Sequence, residues 1–315
     1  MNEFTTVLNA VIPVFAIMGA GLGVRRLNLL SEEADQSLLR VVVNFLMPCL
    51  ILDTVMNNPA AREWRNLTLA PLIGFATILA SLGLVWLVSA GMKFPSQPTR
   101  RTFTISAGLQ NYGYIPLPLA LLLFDQQTAG ILFLHNLGVE ICVWTVVLLV
   151  MTGGRTTGAW SQILNPPLIA VLLSVALNLS GAAAHLPTVL TTALHLLGQC
   201  AFPLALLLIG AMLGDNLGEL RSGEGWWRVA PAILLRLAIL PVGILLLARY
   251  LPTSLELRRV LLMQAAMPSA LVPVILARQY GGDSGTALRI VIGTSLISLA
   301  TTPLWIRFGM KWLNL

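Results

Sequence analysis

Ten apolar stretches of 18 to 26 residues occupy most of this 315-residue chain: 5–24, 37–56, 68–91, 102–123, 128–151, 165–182, 188–213, 229–250, 257–279 and 285–309. A helix of about 20 apolar residues crosses the roughly 30 Å hydrocarbon core of a bilayer. Inside that core each backbone polar group needs a partner within the protein, which a helix supplies by itself. The chain is therefore expected to be an all-α integral membrane protein with ten transmembrane helices. The polar stretches 25–36, 57–66, 92–101, 152–161 and 215–227 are too short for a separate soluble domain.

Composition narrows the functional classes. Hydrophobic residues make up 57% and charged residues only 10%, against about a quarter charged in soluble domains, and the mean hydropathy is +0.83. The net charge is +6, but the Lys and Arg residues are scattered through short loops, where they orient membrane proteins. No basic run with interleaved aromatics is present, so nucleic acid is not an expected partner. Cys49, Cys142 and Cys200 lie in apolar runs and are expected to be buried and reduced. The start Met1-Asn2-Glu3 lacks the basic residues of a cleaved signal, so the first segment is expected to be a retained helix.

Enzyme motifs are absent. There is no His-Glu-x-x-His metal motif, no Gly-x-Ser-x-Gly nucleophile turn and no phosphate loop. Glu32-Glu33 reads as a loop pair followed by Ser37 and not by a base. His135, His185 and His195 are too dispersed for a metal site. Neither a catalytic role, nor an ATPase of its own, nor a cofactor or metal is expected.

The basic residues also suggest an orientation. With the N-terminus outside, the first half places Arg25, Arg26, Arg40, Lys93, Arg100, Arg101 and Arg155 inside, against Arg62 and Arg65 outside. The second half is nearly balanced, with Arg221, Arg228, Arg278 and Arg289 inside and Arg249, Arg258, Arg259, Arg307 and Lys311 outside. Both termini are expected outside.

Sliding the halves past each other exposes a repeat. Pro48, in Asn44-Phe45-Leu46-Met47-Pro48, matches Pro203, in Gln199-Cys200-Ala201-Phe202-Pro203. A nearly equal shift aligns Pro116 with Pro273, Asn111 with Pro268 and Arg101 with Arg258. Residues 1–151 and 165–315 then read as two five-helix repeats joined by a short loop, 152–164. An odd helix count per repeat makes the second copy inverted relative to the first, a common transporter plan. Ten residues at about 1.5 Å each put Asn111 about 15 Å below Arg101, and Pro268 equally deep from Arg258, near the bilayer middle.

Proline inside a helix removes a donor and clashes with the preceding turn. The groups it frees are tolerated in a membrane only where they line a cavity or find partners. Proline also suits a first helical turn, so Pro116 and Pro273 are expected to start second half-helices whose free N–H groups point at the midplane and favour an anion. Gln110, Asn111, Tyr112 and Tyr114 add polar groups to the first break. Gln264, Ser269 and the backbone around Leu271 and Val272 add them to the second.

Among charged residues at membrane depth, Glu140 stands out as a functional candidate. It can be protonated, pair with Arg236, or carry a coupling proton. His135 reads as an interface residue, Asp53, Asp125 and Asp283 as helix-end caps, and Asn44 as an interhelical hydrogen-bonding residue.

Three segments carry a family resemblance: Asn44-Phe45-Leu46-Met47-Pro48, Gln110 to Leu119, and Met267 to Gly281. They resemble the auxin efflux carrier family, which shares a ten-helix fold with bile acid/sodium symporters. The resemblance spans essentially the whole chain, and the short 152–164 connection is similar to prokaryotic members. It implies that helices 4 and 9 cross at their breaks. Helices 3–5 and 8–10 would form a transport domain, and helices 1, 2, 6 and 7 a scaffold that forms a homodimer in the bacterial inner (plasma) membrane. Carried over by position, the resemblance implies Asn111 and Pro116 at the first break and Pro268 and Pro273 at the second. With the residues of the breaks themselves, the expected substrate site is Gln110, Asn111, Tyr112, Tyr114, Ile115 and Pro116 with Pro268, Ser269, Leu271, Val272 and Pro273, and Glu140, Arg236 and Gln264 are candidates for coupling or a charge pair. The expected function is secondary or uniport transport of a small organic anion, a carboxylate or auxin-like aromatic acid, by an elevator-like shift. Sodium-coupled uptake of the bile-acid type and a non-transporting receptor or sensor are the alternatives.

Overall fold

A computed structural model of the chain describes residues 3–154, 164–216 and 226–315. Most of the 152–164 connection, with Arg155, and the orienting Arg221 lie outside the described residues. Among those described, the protein is all-helical, with one isolated antiparallel bridge between Gln110 and Ser269. The helices are α1 (Glu3–Arg26), α2 (Glu32–Val55), α3 (Trp64–Ala90), α4a (Gln97–Gly108), α4b (Pro116–Leu123), α5 (Gln126–Thr152), α6 (Pro166–Ser180), α7 (Thr188–Asp215), α8 (Val229–Tyr250), α9a (Leu255–Ala265), α9b (Val272–Tyr280) and α10 (Ser284–Leu313). Seven of them, α1, α2, α3, α5, α7, α8 and α10, are long and apolar enough to cross a membrane.

Local chemistry sets the helix ends. A side-chain oxygen that accepts from the backbone two or three residues on satisfies donors the helix leaves free. Asp125 does this for α5 (Thr128 N, 2.7 Å), Asn165 for α6 (Leu168 N, 2.9 Å), Ser254 for α9a (Leu257 N, 3.1 Å) and Asp283 for α10 (Thr286 N, 2.9 Å). Asp125 and Asp283 are thus the caps expected from sequence. Ser31 caps α2 through Ala34 N at 3.3 Å, and Glu32, Glu33 and Asp35 occupy its first turn. Glu32-Glu33 therefore belongs to a helix and not a loop, because acidic residues favour the positive N-terminal end.

The long helices pack through small residues. A Cβ on Gly138 of α5 would collide with the Pro71 carbonyl of α3, and one on Gly210 of α7 with the Met18 carbonyl of α1. Such close approach gains dispersion contacts that hold helices together without a hydrophobic driving force from water. The packing pattern repeats across the halves: α1 lies on α7 and α6 on α2; α3 on α5 and α8 on α10; α5 on α9a and α10 on α4a. Helix ends gather at two opposite sides. On one, Arg25 binds Asp35 and lies 3.1 Å from Asp215, and Thr99 donates to Asp283 at 3.0 Å. On the other, Arg62 meets Asn178 at 2.6 Å, Asn178 donates to Val55 O at 2.7 Å, and Arg259 pairs with Asp125 at 2.8 Å.

Packing corrects several sequence readings. Cys49 and Cys142 are buried, but Cys200 is exposed, since an outward helix face looks as apolar as an inward one. Asn44 is also exposed, in a widened π turn over 42–46 that directly precedes Pro48. No hydrogen bond joins it to another helix among the described residues. Asp53 is no cap: it sits inside α2, 2.9 Å from His195 of α7. His135 is no interface residue: it is fully buried, because the glycines of α3 and α5 bring its backbone against Gly74.

Candidate functional site

The helices that begin at Gln97 and Leu255 each stop in mid-course, and each resumes after a short non-helical segment. Pro116 and Pro273 fall in the first turns of α4b and α9b, where a missing N–H costs nothing. The two interruptions meet. Asn111 N–H donates to Pro268 O at 2.7 Å, and Ala270 N–H donates to Leu109 O at 2.9 Å. This minimal ladder satisfies backbone groups that would otherwise be buried unpaired.

Beside the ladder lies a cavity of about 360 Å³. From the first break, Asn111, Tyr112, Gly113 and Tyr114 face it; from the second, Ala270, Leu271 and Val272 do. Helices α2, α6 and α7 close the opposite wall with apolar side chains such as Met47, Val171 and Ile209. The N–H groups of Tyr112, Gly113, Leu271 and Val272 have no protein acceptor among the described residues. The half-helix starts add fewer free donors than expected: Pro116, Pro118 and Pro273 have no N–H, Leu117 N–H donates to Gly113 O at 3.1 Å, and Val274 N–H donates to Leu271 O at 2.9 Å. The cavity is thus a mostly apolar space with backbone donors at one wall and one ionisable carboxyl, Glu140 of α5.

Glu140 and Arg236, read from sequence as a possible pair, are not partners. Glu140 Oε1 accepts from Tyr112 Oη at 2.8 Å and Oε2 from Trp144 Nε1 at 2.9 Å. Arg236 is fully buried, presented by a π turn of α8, with Nη1 donating to Gly108 O at 3.4 Å and Gln110 Oε1 at 3.3 Å. From Arg236 a chain of amides runs to the Tyr112 backbone carbonyl. Gln110 Nε2 donates to Gln264 Oε1 at 3.4 Å, and Gln264 Nε2 donates to Tyr112 O at 3.1 Å and to Asn136 Oδ1 at 3.4 Å. Asn136 Nδ2 completes it by donating to Tyr112 O at 2.7 Å.

The remaining expected site residues divide by side of the ladder. Gln110, Ser269 and Gln264 are fully buried behind it, and Ile115, Pro116, Pro268 and Pro273 are buried in the frame of the breaks. Asn136, Trp144, Gly113 and the apolar wall were missed. Trp144 lies one helical turn after Glu140, a spacing that flags it. Asn136 carried a signal as a mid-segment polar residue, whereas the wall residues carried none. A larger groove of about 500 Å³ between α8 and α10 is lined by Trp305, Phe308, Trp312 and other apolar residues, with Thr301 its only hydroxyl. It lacks groups to orient a polar solute.

Comparison with known proteins shows the family to which a chain with this cavity belongs. The family model described as "Membrane transport protein" matches residues 6–158 and again residues 155–306. The chain belongs to this family, the auxin efflux carrier family whose motifs its breaks resemble. Two archaeal proteins match over nearly their whole lengths. An "Uncharacterized transporter" of Methanothermobacter thermautotrophicus is 28% identical over 94% of this chain and 96% of its own. "Uncharacterized transporter MJ1031" of Methanocaldococcus jannaschii is 23% identical over 95% and 97%. "Protein ECM3" of Saccharomyces cerevisiae matches 28% of this chain and 14% of its own at 24% identity. The protein is an integral membrane transporter of this family, which accords with the apolar helices around its cavity.

Proposed function

We propose that the chain is a secondary-active or uniport carrier of a small organic anion, a carboxylate with an apolar or aromatic body. The observation that carries this reading is the cavity closed by the two helix breaks: unpaired backbone donors at one wall for a carboxylate head, an apolar wall opposite for its body. A volume near 360 Å³ suits a solute of modest size. Asn111, Tyr112, Tyr114, Leu271 and Val272 would touch the substrate, while Ile115, Pro116, Pro268, Ser269 and Pro273 would shape the breaks.

The architecture behind this reading is ten crossings in two inverted five-helix halves. Two successive family matches, the mirrored packing pairs and the gathering of helix ends at two opposite sides support it. Helices α3–α5 and α8–α10 would slide as a transport domain against a scaffold of α1, α2, α6 and α7. The cavity lies between these groups, where an elevator-like shift would expose it alternately. The scaffold would join two copies in a prokaryotic plasma membrane, with both termini outside. Mass measurement in lipid nanodiscs tests the dimer, and labelling of single cysteines at the termini tests the orientation.

Uptake of labelled carboxylates, acetate, benzoate and indole-3-acetate among them, into proteoliposomes tests the function. Saturable uptake is expected. Asn111→Ala leaving affinity and rate unchanged would remove the site, and loss of uptake on replacing sodium by choline would favour a sodium symporter instead.

A further inference from the structure

The groove between α8 and α10 has a floor that sequence chemistry holds in place. Pro241 has no N–H, so the Leu237 carbonyl lacks the usual donor four residues on. The Trp305 indole of α10 donates to that carbonyl at 2.7 Å, which fixes the ring across the two helices. Phe308 meets Trp305 edge-on at 5.8 Å, and Trp312 stacks on Phe308 at 6.0 Å. Val242 and Leu246 of α8 form the facing wall. The groove opens outward, away from the solute cavity: Leu304 and Phe308 are 55% and 51% exposed.

Its length matches one half of a bilayer. From Thr301 to Trp312 the groove follows eleven residues of α10, a rise of roughly 16 Å, close to half of a hydrocarbon core of about 30 Å. One end is the place where α8 and α10 both finish. There Arg249, in the last turn of α8, donates from Nη1 to Trp312 O at 2.7 Å and lies 5.7 Å from the centre of the Trp312 ring. Lys311 occupies the last turn of α10. Both cations are exposed, and neither pairs with a carboxylate among the described residues. Tyr250 is exposed at the end of α8. Together with Trp312 it marks the level of the lipid headgroups, where Trp and Tyr rings settle.

We propose that this groove is a lipid site, holding one acyl chain of an anionic phospholipid with its phosphate at Arg249 and Lys311. The site shares no residue with the cavity at the breaks and does not rest on the reading of that cavity. An apolar trough left empty forfeits the dispersion contacts of its walls, and an acyl chain restores them. The cations at the mouth attract an anionic headgroup over a zwitterionic one. A second copy of the chain is a poorer occupant. Neither α8 nor α10 contains an Asp or Glu, so a two-fold contact through this face would set Arg249 and Lys311 against their own copies.

Native mass spectrometry of the purified full chain tests the site, after incubation in detergent with equal amounts of dioleoyl phosphatidylglycerol and dioleoyl phosphatidylcholine. The wild type is expected to retain one phosphatidylglycerol per chain, in more than tenfold excess over phosphatidylcholine. K311Q is expected to reduce that preference about fivefold, and R249Q combined with K311Q to bring it near equality. L304W and V242W, which fill the groove from opposite walls, are expected to lose the retained lipid. Absence of retained lipid on the wild type, equal retention of both lipids, or K311Q with the wild-type preference overturns the proposal. Undiminished retention in both tryptophan variants overturns it too, because the lipid then lies elsewhere. A lipid-free wild-type dimer that L304W dissociates gives the groove to a second copy instead. Should a tryptophan variant fail to fold, the wild-type and K311Q measurements still decide, since Lys311 is exposed.

Discussion

The break between α4a and α4b brings its own polar side chains, whereas the break between α9a and α9b borrows them. The first reads Gln110-Asn111-Tyr112-Gly113-Tyr114, and four of these five residues face the cavity. The second reads Ala266-Met267-Pro268-Ser269-Ala270-Leu271 and is held from outside: Thr294 accepts from Ser269 N–H at 3.3 Å, and Thr302 donates to Ala266 O at 2.9 Å. Both solve the same problem, unpaired backbone in a medium without water. One places its polar side chains where a solute can meet them. The other presents little but backbone to the cavity and keeps its supporting hydroxyls behind, on α10. If the proposed site is right, substrate choice is expected to reside in the first break, with the second as a scaffold for donors.

Substitutions can break that division. Asn111→Leu, which removes the polar side chain nearest the ladder, is expected to weaken carboxylate binding by roughly 1.5–3 kcal/mol, a factor of about 10–100, in calorimetry or competition uptake. Gln264→Leu cuts the amide link between the breaks and leaves buried Gln110 short of a partner. Thermal unfolding in detergent should show a loss of about 1–3 kcal/mol. Thr294→Val and Thr302→Val are expected to cost about 1 kcal/mol each in stability while leaving the order of preferred substrates unchanged. A changed substrate order in either threonine variant, with Asn111→Leu unaltered, would reverse the comparison.

The smallest effect concerns Asp125, which caps α5 and pairs with Arg259 of α9a, tying those two helices together. Partial burial raises its carboxyl pKa, but hydrogen bonds from Thr128 and the Arg259 guanidinium outweigh this and hold it below the ordinary value. The unfolded chain therefore binds the proton more readily. The stabilisation is full above the ordinary carboxylate range and fades as pH falls through the folded value. Asp125→Asn should slightly flatten the acid limb of a stability-versus-pH curve, an effect kept small by exposure to solvent.

How much of this was legible can be read from single residues. Pro116 and Pro273 marked both breaks, because a missing donor is a local property that no packing restores. Asp125 and Asp283 were legible as caps for the same reason, since a cap contacts its own chain three residues on. His135 and Cys200 were misjudged, one too near the interface and the other too deep. Burial depends on which neighbour covers a helix face, and in lipid an uncovered face is equally apolar. Glu140 and Arg236 were both singled out for their charge, yet neither binds the other: Arg236 opens an amide chain that ends at the Tyr112 backbone carbonyl, through contacts 126, 154 and 152 residues apart in sequence.

The sequence by itself determined that this chain is helical, embedded in a membrane and interrupted at two prolines. Hydropathy and missing N–H groups act along the chain, so they can be summed from residue order alone. Only the tertiary structure decided that the interruptions meet, that α2, α6 and α7 wall off a cavity beside them, and that Glu140 faces it while Arg236 lies behind. Those outcomes depend on which apolar surfaces fit together, and apolar surfaces of similar composition differ in shape far more than in sequence.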